Sequence, residues 1–117
     1  MLNPFASFET MSNATDVTDS DFQAEVLDSA TPILVDFWAT WCAPCKAMSP
    51  AVDKLAEEFG DRIKVTKLNI DENQSTASSL GVMSIPTFIV FKGGKEVHRF
   101  MGAKPYDAFR AEVEPHL

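Results

Sequence analysis

Lysine and arginine are missing from the first 45 residues, which carry seven acids; all ten basic residues follow, against ten further acids. The net charge of −7 therefore lies wholly before Lys46. With a pI near 4.6, the chain lacks the basic face a nucleic-acid partner requires. No apolar run approaches the roughly 18 residues of a membrane span. The N-terminus has neither the n- and h-regions of a secretory signal nor the arginine-rich, acid-poor character of a transit peptide. These absences predict a soluble, cytoplasmic chain with no membrane partner. Residues 1–13 read as a flexible N-terminal tail, with Met11 as an alternative start, and residues 14–117 as one domain. Cysteine is scarce as well. Both cysteines of the chain, Cys42 and Cys45, stand together in "FWATWCAPCK", and without a signal such a pair is catalytic or metal-binding rather than a structural staple.

Periodicity supplies the frame for that pair. "TDSDFQAEVLDSA" opens with Thr18 as a helix cap and Asp21 three residues on, and places Phe22, Val26 and Ala30 on one helical face. "PILVDFWA" is a near-continuous apolar run suited to a strand buried on both faces. Met48, Val52, Leu55 and Phe59 then recur at helical spacing until Gly60, with Pro50 expected to kink that helix. "RIKVTKLNID" alternates as a strand, "ENQSTASSLG" is a short helix, and "TFIVFKGGKEVHRFMG" is a hairpin turning at Gly93–Gly94. "KPYDAFRAEVEPHL" closes with a helix. With a short strand near Asp16, the order is (β)αβαβαββα, an α/β three-layer sandwich around a mixed sheet.

Placed between the buried strand and the long helix, Cys42 meets the helix N-terminus, where free N–H groups and the macrodipole favour a thiolate. Lys46 adds positive charge. Cys45 falls one turn on, within disulfide reach, and Pro44 stiffens the first turn where its missing N–H costs little. Zinc wants four ligands, and the other soft ligands, His98 and His116, are distant and wrongly spaced. An iron–sulfur cluster fails the same count. The pair reads as a reversible dithiol–disulfide couple.

These residues resemble the thioredoxin family, whose usual site is Trp-Cys-Gly-Pro-Cys-Lys. The likeness runs from about residue 14 to the end, through "DFWATWCAPCK", "KLNIDEN" at 67–73, "GVMSIPTFIVFKGG" at 81–94 and Gly102. It implies the thioredoxin fold, with Cys42 as nucleophile, Cys45 as resolving thiol, and Pro86 as a cis-proline facing them. Asp36 interrupts an apolar strand, where burial should raise its pKa; the resemblance makes it the proton acceptor for Cys45, with Lys67 beside it. The same likeness puts Trp41, Ala43, Pro44, Met83, Ser84, Ile85, Gly102 and Ala103 against the substrate. Trp38 is left to packing, and His98 and His116 are expected to be solvated bystanders.

Two departures stand out: Ala43 replaces the usual glycine, and Met83–Ser84 stands where many members carry Arg-Gly. The implied activity is reduction of disulfides in target proteins by a monomer with no cofactor of its own. A thioredoxin reductase would recharge it, NADPH and FAD belonging to that partner, since the chain has no dinucleotide fingerprint. Two rivals remain. A disulfide oxidase or isomerase on the same fold typically carries histidine between the cysteines, and a binding module would hold a partner without turnover.

Overall fold

The computed structural model describes residues 14–117; the tail expected over 1–13 lies outside the described residues. Among these residues five strands form one sheet: β1 (Thr15–Asp16), β2 (Ile33–Trp38), β3 (Lys64–Asn69), β4 (Thr87–Lys92) and β5 (Lys95–Met101). Their order is β1-β3-β2-β4-β5. β2 runs parallel to β3 and antiparallel to β4, and β4–β5 is the expected hairpin. Its turn uses Gly93 and Gly94 at φ +61° and +78°, the left-handed pair a tight hairpin needs. A Cβ on Gly94 would also meet the Leu27 carbonyl oxygen at 2.9 Å.

Among the described residues three α-helices cover the sheet: α1 (Ala43–Phe59), α2 (Gln74–Ser79) and α3 (Tyr106–Val113). Alternation along the strands sorts the core. Leu34, Val65, Phe88 and Val90 pack with Met48, Val52 and Leu55 of α1 and Phe109 and Val113 of α3. Ile33, Val35, Phe37, Leu68, Ile89 and Phe91 face Phe22, Val26 and Ala77. Phe109 is fully buried, with its ring 5.0 Å from Phe88 and 5.7 Å from Phe100. Phe109→Ala is therefore expected to cost about 3–5 kcal/mol, read as a lower urea midpoint with unchanged slope.

Two expectations change. The helix expected over 18–30 is a single π-helical turn, Gln23–Leu27, closed by Asp28 N–H donating to the Gln23 carbonyl at 2.9 Å. The wider ring ends the segment early and leaves Ala30 exposed. The capping bonds are nonetheless present: Thr18 N–H donates to Asp21 Oδ1 at 2.6 Å, and Asp21 N–H to Thr18 Oγ1 at 3.3 Å. The long helix carries Pro50 inside it, as the periodicity expects. The histidines are not bystanders. The turn Glu114–His116 folds back so that His116 stacks on His98 at 4.2 Å, and His98 Nε2 lies 2.8 Å from Glu112 Oε1.

Candidate active site

β2 delivers the chain to α1 through Ala39–Trp41, and Cys42 becomes the α1 N-cap in extended conformation. Cys42 and Cys45 are joined in a disulfide with their Cα atoms 5.3 Å apart. Cys42 Sγ accepts the Cys45 N–H at 3.2 Å, so one of the helix's unpaired donors already points at the sulfur that would carry negative charge. Ala43 occupies the first helical position with φ negative. There glycine's freedom would be wasted and alanine stiffens the turn. Ala43, Pro44 and Lys46 are exposed, whereas Cys42 and Cys45 retain only 4% and 3% of their surface. The disulfide is reached from its edge.

That edge is built by the segment before β4. The Ile85–Pro86 bond is cis and Pro86 is buried. The Ile85 carbonyl oxygen lies 3.9 Å from Cys42 Sγ, and the Pro86 carbonyl accepts the Gly102 N–H at 2.9 Å. The second bond brings Gly102–Ala103, at the end of β5, beside the same rim. Trp41, Ile70, Val82, Met83, Ser84 and Ile85 line a groove of about 320 Å³ next to the cysteines. A wider hollow of about 530 Å³ lies at the far end of α1, around Gly60 and Lys64. It lacks any cysteine or histidine in its lining and sits away from the chemistry, so the smaller groove is the relevant one.

Trp41 is 66% exposed, and its indole N–H donates to Asp71 Oδ2 at 2.9 Å. Asp71, Ile70 and Val82 were not singled out from sequence; "LNID" carries the first two at the β3 exit, but nothing in its spacing points across 30 residues to an indole. Asp71→Ala frees Trp41 to rotate away from the groove. The expected result is a KM for protein disulfides about twofold to tenfold higher with little change in kcat, whereas Asp71→Asn, which keeps an acceptor oxygen, restores KM.

Behind the disulfide, Asp36 is 2% exposed on the α1-facing side of β2, in register with Lys67 of β3. Among the described residues its Oδ1 finds no hydrogen-bond partner. Burial pushes its pKa up to about 7; Lys67 opposes the rise and Asp53 of α1 adds to it. Lys67 Nζ lies 5.0 Å from the ring centre of Trp38, so its charge is shared between carboxylate and indole. Trp38 itself packs against Ala39 and the two cysteines, the packing role expected of it. Among the described residues no three of His, Cys, Asp and Glu assemble into a metal-binding group, and no helix is long and apolar enough to cross a membrane.

A family model described as Thioredoxin matches residues 13–115. Thioredoxin 1 of Nostoc sp. is 50% identical over 107 residues, covering 92% of this chain and all of the relative. The thioredoxin of Synechocystis sp. is 46% identical over the same shares. The chloroplastic thioredoxin M-type of Chlamydomonas reinhardtii is 45% identical over 97% of this chain and 81% of its own length.

Proposed function

The chain belongs to the thioredoxin family, and from that premise we propose that Cys42 is the nucleophile and Cys45 the resolving thiol of its disulfide exchange. It is a dithiol–disulfide oxidoreductase that reduces disulfides in proteins and is recharged by a reductase. In the reduced form, the Cys42 thiolate attacks one sulfur of the substrate disulfide. The substrate S–S bond breaks, one thiolate leaves, and Cys42 is held in a mixed disulfide. Cys45 gives up its proton and attacks Cys42 Sγ, releasing the second substrate thiolate. The protein ends as the Cys42–Cys45 disulfide, and the substrate has gained two electrons and two protons.

The observation that carries these roles is the Cys45 N–H donated to Cys42 Sγ at the α1 N-terminus. It favours negative charge on Cys42 rather than on Cys45. Asp36, held near neutrality by burial, accepts the proton of Cys45, with Lys67 limiting the rise. Pro86 removes an N–H beside the sulfurs, and the Ile85 backbone pairs with an extended substrate. Trp41, Ala43, Pro44, Met83, Ser84, Gly102 and Ala103 form the contact rim. A Cys45→Ser protein is expected to accumulate mixed disulfides through Cys42. Failure to trap any, with Cys42 still reactive towards iodoacetamide, would reverse the assignment.

The electron donor in this reading is a thioredoxin reductase using NADPH and flavin, and the chain works as a monomer without a cofactor. Its setting is the cytoplasm. A second reading, an organelle, is favoured by the likeness to the chloroplastic thioredoxin of Chlamydomonas; localisation of the tagged full chain separates the two.

A further inference from the structure

Among the described residues four large apolar side chains are exposed: Trp41, Met83, Met101 and Val97. Three of them gather at one rim. Met83 lines the groove beside the disulfide and is 95% exposed, so no packing explains its choice. Met101 is 57% exposed, and its Sδ accepts the Ser84 hydroxyl at 3.3 Å. Met48, by contrast, is 2% exposed, and its Sδ accepts the Lys104 N–H at 3.2 Å. The thioethers therefore differ in access. Among the described residues nothing donates a hydrogen bond to the sulfur of Met83, which is open; Met101 is open with one lone pair engaged, and Met48 is enclosed.

We propose that Met83, and after it Met101, is a site of reversible peroxide oxidation whose sulfoxide weakens capture of protein disulfides while leaving the Cys42–Cys45 exchange intact. A lone pair of Met83 Sδ attacks one oxygen of hydrogen peroxide, the O–O bond breaks, and that oxygen stays on sulfur as the sulfoxide. The other oxygen leaves as water; sulfur is oxidised by two electrons and the peroxide reduced by two. The product replaces a flexible apolar contact by a polar, chiral one at the centre of the rim. This inference rests on the reading of Met83 as a substrate contact.

The test uses the full chain in its disulfide form, so that no thiol competes for hydrogen peroxide. Among the three methionines of the described residues, peptide mapping should show an added oxygen on Met83 first, then Met101, with Met48 spared. After catalase removes the peroxide and the disulfide is reduced, KM for insulin should rise about threefold to tenfold. The rate with hydroxyethyl disulfide, too small to span the rim, should hold. Methionine sulfoxide reductase should restore KM, and Met83→Leu, taken against its own untreated value, should respond less. Met48 oxidising as fast as Met83, or a Met83 sulfoxide with unchanged KM, would overturn the proposal. If untreated protein reduced neither substrate, the exchange reading itself would fail, a result separate from these.

Discussion

Cys42→Ser is expected to abolish reduction of both protein and small disulfides, a loss of more than about a thousandfold. Serine keeps the helix cap, because its hydroxyl accepts the Cys45 N–H as Sγ does; the fold should survive while the nucleophile is lost. Cys45→Ser should look different at the first step. It attacks a substrate once, at close to the normal rate, and then stalls as a mixed disulfide. The asymmetry follows from position: Cys42 caps α1, and Cys45 lies one turn inside it. Stopped-flow attack rates for the two variants check this directly. Equal loss of the first step in both would mean that the helix terminus does not select the attacking sulfur.

Asp36→Asn is expected to act on stability and on rate in opposite directions. The carboxyl's pKa rises from 3.8 unfolded to about 7 folded, so the native state holds the proton more tightly than the unfolded chain. Its contribution to stability is complete below about pH 3.8 and is lost as pH climbs through 7. The full loss is about 4 kcal/mol. Asparagine has no such titration. The variant should therefore gain up to about 4 kcal/mol over the parent at pH 8, with the gain shrinking towards pH 4, read from urea midpoints at the two pH values. Resolution of the mixed disulfide should slow of order a hundredfold, and its rise through pH 7 should flatten. Nucleophilic attack should change much less. A variant with the parent's resolution rate would remove Asp36 from proton transfer.

What could be read without coordinates follows from the range of each cause. "PILVDFWA" announces a doubly buried strand because both faces need apolar side chains, and the Asp36 anomaly is visible inside it for the same reason. The capping bonds of Thr18 and Asp21 are local and were legible. The π-helical turn behind them was not, since an i to i+5 bond leaves almost the same apolar spacing as an α-helix over five residues. Long-range polar contacts left no trace in spacing. Asp71 reaches Trp41 across the β3 exit, and His116 reaches His98 only after the C-terminal turn folds back. Of the rim, Met83–Ser84 is visible in the sequence as a departure from the family pattern. Met101 is not, because a methionine ending a hairpin strand reads as core until its exposure is known.

The most direct test of the account is the equilibrium reduction potential of the Cys42–Cys45 couple, measured against glutathione or a reference dithiol. A reductant with a buried proton acceptor and no histidine between its cysteines should lie at or below about −270 mV, the figure established for thioredoxin itself. A value above about −180 mV would place the couple with disulfide isomerases and oxidases, contradict the reductase account, and make Ala43 the first residue to revert to glycine.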